Sequence, residues 1–174
     1  MINYMPELPE VEVVKKSLSN TIYDLTIKNI EIRNKFLRYK INEKLMKKMI
    51  KSKVLSVSRR SKYIFIKLNN NYTIMFHLGM TGKIILVDAN KKRYKTSFYY
   101  NLNDNDPLHD HLILKFNKKI ILIYNDVRKF GFIKILKTKK IRLSSHIINL
   151  GPEPLSKYFC SNYFKEKIKK RKIF

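Results

Sequence analysis

Apolar residues recur near the start of the chain at the spacing of a helix. Val11, Val14 and Leu18 lie three and four positions apart within Pro9–Ser19, which puts them on one face of a 3.6-residue period. Glu10 and Glu12 fall in the predicted first turn, where the helix dipole favours acids. Downstream the period shortens towards two. Thr26–Arg33 alternates with some slippage. Lys62–Leu68, Thr73–His77, Lys83–Val87, His111–Phe116, Lys119–Tyr124 and Phe132–Leu136 are short runs rich in β-branched and aromatic residues, the composition of strands. Asn69-Asn70-Asn71 and Phe116-Asn117-Lys118-Lys119 supply polar turns between them. These strands predict a mainly β (α+β) fold. Its form is a two-layer β-sandwich with an N-terminal helix packed on it and a second helix near Asn42–Ile50.

Two stretches depart from this pattern. Asp88–Pro107 is polar, with three tyrosines and a phenylalanine interleaved, and reads as a long mobile loop. Leu150-Gly151-Pro152-Glu153-Pro154-Leu155 breaks the strand pattern and reads as the exit from the domain, after which Tyr158–Arg171 is helical and strongly basic. The expected organisation is an extension over residues 1–5, a sandwich domain over 6–155, and a linker with the first helix of another domain over 156–174. No internal repeat is present.

Composition narrows the class. A hydrophobic content of 44% suits a folded chain rather than a disordered one. The single cysteine, Cys160, excludes an intramolecular disulfide and any multi-cysteine zinc site within these residues. No apolar run approaches the roughly 20 residues that span a bilayer, and Met1–Met5 lacks the features of a signal peptide. A cytoplasmic compartment and no membrane partner are therefore expected. The net charge of +25 suits a nucleic-acid partner, because lysine and arginine release counterions from phosphates. Most of the 38 basic residues are lysine, however, which an AT-rich coding sequence also produces, so charge alone does not decide the partner.

The candidate chemistry starts at Pro6-Glu7-Leu8-Pro9-Glu10. If translation starts at Met5 and that methionine is removed, Pro6 carries a free secondary amine. An α-amine titrates near pH 8, roughly 7.7–8.0, so part of it is nucleophilic at neutral pH and able to attack a sugar carbon to give a Schiff base. Glu7 is placed to move the protons this requires. The plainer reading is that Pro6 and Pro9 only set up the helix start. Three further motifs are Arg59-Arg60-Ser61-Lys62-Tyr63, His77-Leu78-Gly79-Met80-Thr81-Gly82 and Asn125-Asp126-Val127-Arg128-Lys129-Phe130-Gly131. Met80, Arg128 and Phe130 are the residue types of a wedge that invades a duplex: apolar groups unstack a base step and arginine meets the face left unpaired. Singly, Met80 also reads as core filler, Phe130 as a sandwich anchor and Arg128 as a solvated turn residue. A metal site at His77, His109 and His111 is a rival reading, weakened by the lack of any cysteine nearby.

Taken together in this order, the motifs resemble the formamidopyrimidine-DNA glycosylase family. Pro6–Glu12, Arg59–Tyr63, His77–Gly82, Asp126–Gly131 and Leu150–Leu155 all match in register, and the resemblance runs from Pro6 to about Lys172. Leu8 resembles this family rather than its endonuclease VIII relatives, where a glycine stands. The resemblance implies a DNA glycosylase and abasic-site lyase of base-excision repair. Such an enzyme excises oxidised purines such as 8-oxoguanine and formamidopyrimidines from double-stranded DNA, and is expected to act as a monomer. It implies that Pro6 is the Schiff-base nucleophile, Glu7 the neighbouring acid–base and Glu10 a supporting carboxylate. Lys62 would contact the lesion strand's phosphate, while His77 and His109 would line the DNA groove. Met80, Arg128 and Phe130 would fill the gap left by the extruded nucleotide, with Arg128 facing the orphaned cytosine. Lys129 stands where the family usually has a second arginine, so phosphate contact survives without the bidentate geometry.

Two departures qualify these implications. Met1–Met5 precedes the family's start, and a proline nitrogen within a chain is a tertiary amide with no lone pair to offer. The family also has a carboxyl-terminal half, a helix–two-turn–helix domain and a zinc finger of four cysteines. Here the chain ends at Phe174, so no cofactor is expected from these residues themselves. The alternative expectation is a catalytically inactive remnant that binds DNA through charge alone.

Overall fold

The computed structural model describes residues 7–98 and 106–169. The first helix, α1, spans Leu8–Ile22 and buries Val11, Val14, Leu18 and Ile22. Its apolar stripe therefore runs one turn beyond the predicted end, because Ile22 continues the same spacing. Glu10 closes its first turn by accepting a hydrogen bond from the Glu7 backbone N–H at 2.9 Å, satisfying a donor that the helix start would leave without a partner. A short helix α2 covers Glu43–Lys47, capped by the Asn42 side chain, which accepts from the Leu45 N–H.

Among the described residues there are nine strands: β1 (Ile27–Ile32), β2 (Val54–Arg60), β3 (Tyr63–Leu68), β4 (Tyr72–His77), β5 (Gly82–Val87), β6 (Arg93–Lys95), β7 (Asp110–Phe116), β8 (Ile121–Asp126) and β9 (Phe132–Lys137). They form two antiparallel sheets. One has the order β2-β3-β4-β9 and the other β1-β7-β8-β5-β6. The expected mainly β sandwich with an N-terminal helix is thus the observed fold. Two strands are additions to the sequence reading. β2 escapes a pattern search because Ser56, Ser58, Arg59 and Arg60 dilute its apolar positions, yet Val54 and Val57 are buried. β6 lies inside the stretch read as a loop. It pairs with β5 through Ile85, Leu86 and Val87, and the Thr96 hydroxyl beyond it donates to the Ile84 carbonyl at 2.6 Å. The remainder of that stretch, residues 99–105, lies outside the described residues.

One hydrophobic core unites α1 with both sheets. It includes Leu18, Ile64, Ile66, Phe76, Ile84, Leu112, Leu122 and Tyr124. The chain divides into two compact units, Met1–Ile141 and Arg142–Phe174. The second contains α3, Ser161–Lys169, with Lys167 and Lys169 in its last turn. Among the described residues no helix is long and apolar enough to cross a membrane.

Connectivity fixes what sits at one end of the sandwich. The turn after β4 and the turn after β8 each carry the chain from one sheet to the other. His77 pairs with Phe132 in one sheet, and Gly82 pairs with Asp126 in the other. The two crossovers, residues 78–81 and 127–131, are therefore neighbours. Tyr63 pairs with His77, which brings the tight β2–β3 turn at Ser61-Lys62 to the same end.

The α1 stripe should carry much of the domain's stability. Leu18 is fully buried, so Leu18→Ala is expected to cost about 3 kcal/mol through lost burial and the cavity left behind. Urea unfolding followed by circular dichroism measures it. A cost below about 1 kcal/mol would mean that α1 is not part of the core.

Candidate nucleic-acid interface

The crossovers, the β2–β3 turn and the segment after β1 enclose an open groove of about 710 Å³. It is lined by Phe36, Leu37, Arg38, Lys62, His77, Gly79, Met80, Arg128, Lys129 and Phe130. Six of the predicted site residues meet here: Lys62, His77, Met80, Arg128, Lys129 and Phe130.

Glycine makes the approach of the two crossovers possible. Gly79 has a positive φ of 64°, and a Cβ there would stand 2.5 Å from the Gly131 nitrogen and 2.7 Å from the Phe130 carbonyl carbon. A Cβ on Gly131 would overlap the Tyr124 hydroxyl. Neither position admits a side chain without moving backbone.

A buried carboxylate joins the turns. Asp126 is completely inaccessible. One of its oxygens accepts from the Thr81 hydroxyl at 2.5 Å. The other accepts from the Gly131 N–H at 2.8 Å and from the Tyr124 hydroxyl at 3.4 Å. Thr81 Oγ1 in turn accepts from the Arg128 N–H at 3.1 Å. Asp126 therefore fixes the turn that bears Met80 against the turn that bears Arg128 and Phe130. Tyr124 sits so deep that burial, then the adjacent negative Asp126, pushes its phenol well above the ordinary tyrosine range. Its hydroxyl also lies 3.1 Å from the His77 carbonyl. His111, buried beneath, places Nε2 at 2.7 Å from the Asp126 carbonyl oxygen.

On this frame Arg128 and Phe130 are presented outward. Phe130 is 46% exposed, which removes its reading as a sandwich anchor. Met80 is half-buried and Arg128 exposed. The Arg128 guanidinium lies over the Phe130 ring, 4.6 Å from its centroid, a cation–π contact that orders both side chains. Lys129 takes a left-handed φ of 57°, reversing the chain between them. His77 stacks on Phe132 at 5.1 Å, and its Nδ1 accepts from the Gly79 N–H at 3.2 Å. In the neutral ring the proton is then on Nε2.

The β2–β3 turn is tied to α1. Arg59 Nε donates to Glu12 at 2.7 Å, and its Nη1 donates to the Ser61 carbonyl at 2.9 Å. Burial alone would raise the Glu12 carboxyl, but hydrogen bonds from Lys15 and Arg59 outweigh it and hold the group below its usual range. Lys62 thereby keeps a fixed relation to the helix that begins just after Pro6.

The remaining predicted residues stand elsewhere. Glu7 and Glu10 form the first turn of α1, and Pro6 lies outside the described residues. His109 is on a short 3₁₀ helix, Pro107–His109, with Asp106 4.0 Å away, and is not part of the groove wall. Among the described residues no three His, Cys, Asp or Glu side chains converge as metal ligands. Cys160, the one cysteine in the chain, is exposed. Sequence reasoning missed Phe36, Leu37 and Arg38. Their only signal is the alternation of basic and aromatic residues in Lys35-Phe36-Leu37-Arg38-Tyr39-Lys40.

Fold and groove together define a two-sheet β-sandwich domain with an N-terminal helix and a basic, aromatic cleft at its sheet-to-sheet crossovers. The chain belongs to the formamidopyrimidine-DNA glycosylase family: the sequence model of that family's N-terminal domain matches residues 5–133. It is 38% identical over 169 residues to the formamidopyrimidine-DNA glycosylase of Rickettsia africae, covering 97% of this chain and 57% of that protein. It is 36% identical to the Rickettsia bellii enzyme over the same shares of both chains. Among solved structures, it is similar to the Lactococcus lactis Fpg in complex with abasic-site DNA. The TM-score there is 0.78 at 31% identity, covering 95% of this chain and 57% of that one. A complex of the same protein with N7-benzyl-Fapy-dG DNA gives a TM-score of 0.77 at 32% identity, covering 95% and 56%. The chain thus spans somewhat over half the length of the relatives it matches.

The buried phenol predicts an alkaline limit to stability. Tyr124 has a folded-state pKa above the unfolded value of about 10, so its contribution is complete below that pH and declines as pH rises through the folded value. Tyr124→Phe should give a shallower loss of stability above about pH 10 than the parent, read from urea midpoints across pH. An unchanged slope would contradict this.

Proposed function

We propose that this chain supplies the nucleophile and the duplex-invading wedge of a DNA glycosylase and abasic-site lyase acting on oxidised purines in double-stranded DNA. One observation carries the reading. Two lysines, an arginine, a histidine and two apolar side chains of matched type share a single groove, in a chain whose family and structural relatives are formamidopyrimidine-DNA glycosylases. Phosphates would meet Lys62 and Lys129, positioning the duplex without reading its sequence. Met80 and Phe130 would enter the base stack, and Arg128 would offer donors to the base left without its partner.

The chemistry would begin at Pro6. Its nitrogen adds to the sugar C1′ and gives up its proton as the glycosidic bond breaks. The electron pair leaves with the base, which takes up a proton, and the C1′–O4′ bond then opens, O4′ taking up a proton, to leave an iminium between C1′ and the Pro6 nitrogen. The iminium so formed activates the C2′ proton, whose loss expels the 3′ phosphate and nicks the strand. Glu7 is the neighbouring group for these proton transfers, and Glu10, bonded to the Glu7 N–H, keeps it at the helix start. Any residue attached to Pro6 turns its nitrogen into an amide, so the reaction needs a chain that opens at Pro6. A second reading, in which the groove binds duplex without chemistry, would hold for a chain in which Met1–Met5 stay attached.

Borohydride separates the two. It reduces an iminium to a stable amine, so a chain opening at Pro6 should become covalently joined to duplex carrying 8-oxoguanine opposite cytosine, and the chain retaining Met1–Met5 should not. No adduct from the Pro6 form, on duplex that it demonstrably binds, would favour the binding-only reading.

A further inference from the structure

The segment between β1 and α2 presents an aromatic ring that the wedge does not account for. Phe36 is 59% exposed, although an exposed phenylalanine leaves a large apolar face in water. The chain around it is fixed. The Asn34 side chain accepts from the Phe36 N–H at 2.8 Å, the Ile41 N–H donates to the Lys35 carbonyl at 2.8 Å, and Phe36 bridges to Lys40 across a narrow loop. Leu37 and Ile41 anchor the loop in the core. The Arg38 N–H donates to the Gly131 carbonyl at 3.2 Å, which fastens the loop to the crossover carrying Arg128 and Phe130. Phe36 is thus held at the groove in a prepared position, with little ordering left to do on binding.

Cations flank the ring. The ammonium groups of Lys35 and Lys40 each lie 5.7 Å from its centroid. Lys35 also pairs with Glu43 at 3.1 Å, where both side chains are over 40% exposed, a weak surface contact that a phosphate can displace. Next to the loop, Lys134 lies 3.9 Å over the Tyr39 ring. An aromatic ring with two ammonium groups beside it matches the π face of a base with the phosphates of its strand nearby. We infer that Phe36 is a second stacking platform, which receives an unpaired nucleobase of the bound DNA while Lys35 and Lys40 take the phosphates on either side. Base-on-aromatic stacking tolerates any base because each has a π face, so this platform would add grip on disrupted duplex without adding sequence preference.

The inference rests on the DNA-binding reading above and is tested with the full 174-residue chain. Its ligands are a fully paired duplex and the same duplex with one unpaired 2-aminopurine. The parent should prefer the bulged duplex and quench the probe's fluorescence. In Phe36→Ala that preference should fall about five- to tenfold and the quenching should disappear, whereas Phe36→Tyr should keep both. Lys35→Gln combined with Lys40→Gln should lower the slope of log affinity against log salt by about 1.5. Phe36→Ala with the parent's preference and quenching would overturn the inference while leaving the DNA reading intact. A parent that binds neither duplex would overturn both. Displacement of the bulged duplex by polyglutamate with the same dependence on Phe36 would assign the ring to an acidic protein segment instead.

Discussion

Asp126 lies where the two sheet-to-sheet crossovers meet, and its carboxylate accepts from Thr81, Gly131 and Tyr124. A carboxylate that has lost all contact with water is costly unless donors replace the lost hydration. Here those donors come from both crossovers and from the strand between them. The turn with Met80 and the turn with Arg128 and Phe130 therefore cannot drift apart without stripping a buried acid of its partners. The glycines complete the arrangement: Gly79 and Gly131 let backbone meet backbone where any Cβ would collide. What faces the groove is a trio of side chains on a fixed base, with Arg128 and Phe130 in contact with each other.

The proposed function would divide affinity and selectivity between different side chains of the groove. On the proposed function, a net charge of +25 would draw the chain to any polyanion, and lysines such as Lys62 and Lys129 would hold a backbone without distinguishing one step from another. Selectivity for a disrupted step has to come from groups that gain only when a base leaves the stack. Met80, Phe130 and Arg128 would be of that kind, and Arg128 lies over the Phe130 ring.

Much of this architecture was legible from the chain. The period of Val11, Val14 and Leu18 gave α1, and seven of the nine strands carry enough β-branched and aromatic residues to be seen. β2 was hidden because its exposed positions are serine and arginine, and β6 because three polar residues have no period. The candidate wedge residues were legible as residue types in ordered motifs, and the structure brings six of the ten predicted site residues into one groove. Two things were not legible. Asp126 sits in a motif that points to Arg128 and Phe130, and nothing local shows that its side chain turns inward to Thr81, 45 positions away. Phe36 lies in a segment without helix or strand period, and long-range contacts such as the Arg38–Gly131 hydrogen bond place it beside the groove.

The dependence of the wedge on Asp126 is open to one direct measurement, a double-mutant cycle of Asp126→Asn with Arg128→Ala. Its readout is the ratio of affinities for duplex with an abasic-site analogue opposite cytosine and for intact duplex. If Asp126 orders the wedge, removing Arg128 should matter much less once Asp126 is changed, giving a coupling of about 1 kcal/mol or more. Additive effects, within about 0.3 kcal/mol, would show that the wedge does not depend on the buried carboxylate.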